Sequence, residues 1–154
     1  MNVQRVSKVL LLSAVVLLLS AAAATAAGYA RHTVKAARLT VKSTRYGKAL
    51  FGPSGKVLYG FTADRNGKSH CYGDCAAAWP PLLTRGAPVA GTGVTQALLG
   101  TTTRTNGRKQ VTYKGHPLYY YVGDQVGKVA CQHVSEYGGL WLIVNPSGRL
   151  NTAS

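Results

Sequence analysis

Four side chains in this sequence could hold a soft metal ion or exchange electrons: Cys71, Cys75, Cys131 and His133. Brought together, they would form a ligand set suited to copper(I) or zinc, with His70 as a substitute, because thiolate and imidazole favour those ions over hard cations. Their spacing matches neither a standard zinc motif nor a thioredoxin-type Cys-x-x-Cys. The competing chemistry is a disulfide. Three cysteines allow three single bridges and leave one thiol over. Cys71 and Cys75 are four residues apart, and a turn between them would bring their Cα atoms within the separation a disulfide accepts.

Other chemistry has little to stand on. The sequence contains no Gly-x-Ser-x-Gly elbow, phosphate loop or His-Glu-x-x-His. Its four acids are Asp64, Asp74, Asp124 and Glu136. Asp64 and Asp124 each precede a glycine by three residues, which predicts a type I turn with the carboxylate accepting the amide two residues on. Asp74 is placed to cap a short helix, so a catalytic carboxylate pair would have to recruit residues already engaged, and a conventional hydrolase is not expected. One carboxylate per loop is also too few for calcium.

These residues sit in a sequence that repeats itself at a spacing of 60. Between 47–71 and 107–131, eight of 25 positions are identical, including Leu58/Leu118, Tyr59/Tyr119, Asp64/Asp124, Gly67/Gly127 and Cys71/Cys131. An internal duplication fixes the architecture before any activity is considered. Cys131 is the counterpart of Cys71, whereas Cys75 faces Ser135, so the symmetry leaves open both a local bridge and one between the copies.

The elements that must position these groups read as strands. Residues 49–51 and 56–62 flank Gly52-Pro53-Ser54-Gly55 as a hairpin, with Val57, Tyr59 and Phe61 alternating onto one face. Residues 98–105, 108–113 and 116–122, separated by Asn106-Gly107 and Lys114-Gly115, predict a three-stranded meander. Residues 139–144 add a strand with Trp141 and Ile143 on one face, and a turn at 145–148 starts another short one. Tyr59, Phe61, Tyr119 and Tyr121 should form one aromatic face, leaving Tyr120 as the better candidate for an exposed contact. One short helix is expected at 74–78, stopped by Trp79-Pro80-Pro81. The predicted fold is a single, mostly β, antiparallel domain over 46–154, a small sandwich or barrel. Copy one covers about 46–83, a linker 84–97, and copy two about 98–150.

Residues 1–27 combine Arg5 and Lys8, an apolar run over 9–19 and a small-residue tract, the pattern of a cleavable secretory signal with no transmembrane anchor in the mature form. An exported chain meets an oxidising compartment, so a disulfide without metal or other cofactor is the leading expectation for the cysteines. Removing that segment leaves 16 lysines and arginines against four acids, a net charge of +12. Such an excess favours anionic cell-envelope polymers or a membrane surface as partners; no nucleic-acid motif is present. Residues 28–45 read as a basic tether. Within it Arg31, Lys35, Arg38, Lys42 and Arg45 recur at steps of four and three, placing them on one side of a helix if one forms, as candidate contacts for an anionic surface.

Several segments carry a family resemblance: Leu58-Tyr59-x-Phe61-x-x-Asp64, Cys71-x-Gly73-x-Cys75-Ala76-x-x-Trp79-Pro80-Pro81-Leu82, Gln110-Val111-Thr112-Tyr113-x-Gly115-His116-Pro117-Leu118-Tyr119 and Gly138-Gly139-x-Trp141. Together they resemble the secreted-repeat lipoproteins with a Tyr-x-aromatic-x-x-Asp motif, over roughly residues 46–150. The resemblance implies an exported bacterial protein built of two such repeats, in a family of largely undefined function, and it favours the Cys71–Cys75 pairing. The chain departs from the family in lacking a cysteine to carry a lipid, and at Cys131-Gln132-His133, where members resemble Gly-Gln-Gly. The expectation is a secreted, non-enzymatic binding module, with an extracytoplasmic metal or redox protein as the alternative.

Overall fold

Side chains along the central strands are apolar at consecutive positions, so these strands are covered on both faces. The computed structural model describes residues 36–154. Its strands are β1 (Arg38–Thr44), β2 (Gly47–Phe51), β3 (Tyr59–Phe61), β4 (Leu83–Thr84), β5 (Val89–Ala90), β6 (Leu99–Thr103), β7 (Lys109–Tyr113), β8 (His116–Pro117), β9 (Val134–Glu136) and β10 (Gly139–Ile143). One helix, α1 (Asp74–Ala78), and one 3-10 turn (Gln96–Leu98) complete the order.

The strands form three small sheets, ordered β2-β1-β5, β3-β10-β9 and β4-β7-β6, with β8 pairing Thr112 and Tyr113 of β7, further along the edge where β4 pairs Lys109 and Gln110. Pairing is antiparallel except between β1 and β5, where Arg38 and Leu39 lie parallel to Val89 and Ala90. The predicted meander is present as β6-β7-β8, its third strand shortened to two residues because Tyr119 leaves it to bridge Tyr59 and Pro81. The hairpin expected between 49–51 and 56–62 is reduced to a Phe51–Val57 bridge, because β2 pairs with β1 and β3 with β10; a Val144–Leu150 bridge makes the final short pairing.

Two buried clusters occupy the two sides of these strands. Ala49, Phe51, Val57, Tyr59, Phe61, Tyr119, Trp141 and Ile143 point to an aromatic side, which also takes Cys71, Cys75 and Trp79. Their neighbours Leu50, Leu58, Leu118 and Val144 point to an aliphatic side shared with Leu39, Leu82, Val111 and Tyr113. Tyr120 belongs to that second side. It is half-buried against the aliphatic cluster, and this burial raises its hydroxyl pKa, so it is not the exposed contact expected from the alternation.

The basic lead-in differs most from expectation. Residues 1–35, and with them the predicted signal segment, Arg31 and Lys35, lie outside the described residues. Arg38–Thr44 is a strand, neither tether nor helix. The cations at helical spacing masked a two-residue alternation in which Leu39 and Val41 face the aliphatic cluster. Thr40 and Val41 add β-branched side chains that favour extended backbone. This strand also changes the expected linker, since β5 pairs with β1, and β4, ending at Thr84, pairs with β7.

Candidate functional site

At the junction of the copies, equivalent residues meet each other. Tyr59 and Tyr119 exchange backbone hydrogen bonds, each amide donating to the other's carbonyl at 2.9 Å. Tyr119 Oη then donates to Asp64 Oδ2 of the other copy at 2.9 Å. The reciprocal groups, Tyr59 Oη and Asp124 Oδ2, are both buried but fall short of hydrogen-bond geometry. Burial first, and then the charge of Asp124, raises the Tyr59 pKa far above its ordinary value. The copies are thus crossed at their repeated Tyr and Asp, tightly on one side and loosely on the other.

Both aspartates also tie down their own loops, in a way the expected turn does not describe. Asp64 Oδ1 accepts the amide of His70 and Asp124 Oδ1 that of Ala130, six residues on in each case and at 2.8 Å. In the first copy Asn66 and Gly67 adopt φ of 52° and 69°, so the chain reverses between Arg65 and Lys68 in a two-residue turn and Asp64 precedes it. In the second, Lys128 N donates to Gln125 O across Gly127, and Asp124 again lies before the turn. Burial is the largest influence on both carboxyls and lifts each above its usual 3.8.

A buried arginine completes the tight side. Arg104 Nη1 donates to Ser69 Oγ (2.8 Å) and Gln110 Oε1 (2.6 Å), and Nη2 donates to the Cys71 carbonyl (2.6 Å). Ser69 Oγ lies 2.8 Å from Tyr119 Oη. Arg104, Ser69, Tyr119 and Asp64 therefore form one hydrogen-bonded path, in which the buried positive charge is solvated by neutral acceptors. No spacing in the sequence marked Arg104 or Gln110; only the fold brings residues 35 apart together.

The aromatic residues form a column. Phe61 stacks on Trp141 and Trp141 on Trp79, both at 4.1 Å between ring centroids, and Tyr121 lies against Trp79 at 4.7 Å. Trp79 Nε1 donates to Glu136 Oε2 at 3.0 Å, which engages the acid that the sequence left unassigned. Trp79 follows α1, where Gly73, with φ of 54°, occupies the N-cap. Asp74 is the first helical residue and makes no side-chain cap, in contrast to the capping role expected of it.

Cys71 and Cys75 are joined by a disulfide with Cα atoms 5.2 Å apart, and Cys131 is a free thiol. The bridge takes two of the four expected ligands for copper(I) or zinc, because a disulfide sulfur is no longer a thiolate. Among the described residues no three His, Cys, Asp or Glu side chains are gathered around one point that could hold a metal ion. His133 is exposed, with φ of 61°. Cys131 is half-buried, and burial pushes its thiol pKa up, partly offset by a hydrogen bond with Tyr121.

The remaining cations are on the surface. Arg38, Lys42 and Arg45 are exposed: Arg38 Nη1 donates to the Ala90 carbonyl, Lys42 Nζ lies 5.3 Å from the Phe51 ring centroid, and Arg45 packs on Tyr46. Two open clefts are bordered by cations and by no acid. One, of about 330 Å³, has Arg45 and Lys128 among its lining residues. The other, of about 510 Å³, has Arg85, Arg108 and Lys109. Arg85 lies more than twenty residues before Arg108 and Lys109 and joins them only when β4 pairs with β7.

A family model described as a secreted repeat of unknown function matches the chain twice, at residues 40–83 and 100–145. No curated protein matches the chain, and no solved structure does. The matched stretches begin 60 residues apart and end 62 apart. Trp79 lies near the end of the first and Trp141 near the end of the second, and their stacked rings are another place where the copies meet.

Proposed function

Since the chain belongs to a family of secreted repeats of unknown function, we propose that it acts outside the cell as a surface-associated, non-enzymatic binding module for anionic partners. The observation that carries this reading is the one-sided use of charge. Fourteen of the 18 lysines and arginines lie in the described residues, along with all four acids. Asp64, Asp124 and Glu136 are occupied within the fold, accepting from His70 and Tyr119, from Ala130, and from Trp79. Of the cations, Arg104 is the one spent in the interior. Engagement of three acids in hydrogen bonds within the fold and exposure of 12 of the 14 described cations leave a surface that attracts polyanions and raises their local concentration.

No helix among the described residues is long and apolar enough to cross a membrane. Attraction to an envelope polymer or to anionic head groups would therefore rest on surface charge, with Arg38, Lys42 and Arg45 on the β1–β2 edge contributing. Binding of the secreted protein to fluorescent polyphosphate and polyglutamate chains, followed by anisotropy across a salt series, tests the reading. Affinity should fall steeply between roughly 0.05 and 0.3 M salt as the charges are screened. Absence of binding at low salt, or affinity insensitive to salt, would overturn it.

A further inference from the structure

We infer that the cleft between the end of β4 and the β6–β7 turn is a recognition site for a phosphate-bearing polyanion, held by Arg85, Arg108 and Lys109. The inference rests on the anion-binding reading above and gives it an address. In the β4–β7 ladder Leu83 pairs with Gln110 and Thr84 with Lys109, so Arg85, the next residue, leaves the ladder beside Arg108, and both line the cleft. Neighbouring like charges repel, and no acid lines this cleft to compensate them. An anion between the two guanidinium groups would turn that repulsion into attraction.

Backbone on both sides of the cleft is pinned by side-chain hydrogen bonds. Thr84 Oγ1 accepts from the Ala37 amide and donates to the Gly86 carbonyl, which fixes the bend carrying Arg85. Asn106 Oδ1 accepts from the Arg108 amide, and Gly107, with φ of 77°, closes the turn by donating to Arg104 O. The arginine side chains thus project from preorganised backbone, and less ordering remains to be done on binding.

Phosphate suits this arrangement better than carboxylate. The two oxygens of a carboxylate lie in one plane and suit one planar guanidinium fork, whereas the tetrahedrally disposed oxygens of a phosphate point out of a single plane and can accept from donors on two sides at once. Lys109 supplies a third positive charge, and the open cleft of about 510 Å³ admits a segment of a chain whose ends continue into solvent. The shared chemistry is a run of phosphates, whether in a phosphodiester polymer or in inorganic polyphosphate.

The test compares three forms of the secreted protein for binding to inorganic polyphosphate, to a glycerol-phosphate polymer and to polyglutamate at about 0.1 M salt. They are the native chain, the triple variant Arg85→Ser/Arg108→Ser/Lys109→Ser, and a control, Lys48→Ser/Lys68→Ser/Arg149→Ser, which removes the same charge from exposed positions outside the cleft. All six positions are exposed, and thermal melts confirm that each variant is folded. The cleft variant should weaken phosphate-chain binding about tenfold or more, as expected for loss of charge-assisted hydrogen bonds. The control should weaken it by no more than the general loss of charge dictates. Equal losses in the two variants would overturn the cleft while leaving the general anion reading in place. Polyglutamate bound as tightly as the phosphate chains would overturn the phosphate chemistry, and no binding by the native chain would remove both readings. Preference for one phosphate polymer over the other would identify the source. Finally, Arg85→Lys/Arg108→Lys keeps the charge and removes the forks; phosphate affinity unchanged in that variant would overturn the bidentate contact.

Discussion

Asp64 and Asp124 are buried far enough that both hold their protons above the usual 3.8, with burial as the leading cause. A carboxyl that binds its proton more readily in the folded chain contributes stability that is present below about 3.8 and is lost as pH rises through the folded value. His116 acts in the opposite sense. Burial, and secondarily Lys114, lowers its pKa below 6.5, so stability is lost as pH falls from 6.5 through the folded value. Unfolding free energies measured across pH should therefore show a slope below 6.5 that His116→Asn flattens. Asp64→Asn should remove part of the gain on the acid side; unchanged slopes in both variants would contradict these assignments. The cysteines carry a second expectation at this scale. Cys71→Ala/Cys75→Ala should lower stability by about 2 kcal/mol, the entropy of closing so short a loop. Alkylation of the unfolded, non-reduced chain should add one group, at Cys131. The residue types, the repeated Tyr and Asp, and the possibility of a local disulfide were legible in the sequence. The six-residue reach of each aspartate was not, because each depends on a turn that follows the aspartate, at 65–68 with left-handed Asn66 and Gly67 in one copy and across Gly127 in the other.

Among the elements, β1 is the one whose meaning changed most. Leu39 is fully buried, so Leu39→Ala should cost about 2–5 kcal/mol in denaturant unfolding. The same change in a solvated tether would cost almost nothing, and that outcome would remove β1 from the core. Trp79 and Trp141 bind α1 to β10 through their stacked rings. Trp79→Ala and Trp141→Ala should each cost about 3–5 kcal/mol, and the two losses should not add, since each truncation leaves the other ring without its partner. The meander after residue 98 was readable from local alternation and turn residues, because its partners are adjacent in sequence, whereas the hairpin expected over 49–62 is reduced to one bridge, β2 pairing with β1 and β3 with β10. Strand β1 was not readable that way, although its antiparallel partner β2 follows at once, because basic residues at helical spacing hid its alternation.

Over the whole molecule, the two copies complete each other. Tyr59 and Tyr119 exchange hydrogen bonds, Tyr119 reaches Asp64 of the other copy, and Trp79 stacks on Trp141. Residues 36–83 expressed alone should accordingly lack the near-ultraviolet circular dichroism of packed aromatics, and an ordered isolated copy would contradict this interlocking. The sequence by itself determined the duplication, the β class, the aromatic side of the core and the cation excess, since each is a property of residue identity at short spacing. Only the tertiary structure decided which cysteines pair, that three of the four acids are occupied within the fold, and that Arg85 lines one cleft with Arg108 and Lys109. Those outcomes depend on strand register and on contacts between distant segments, where burial and unpaired charge select one arrangement from many that the same local pattern allows.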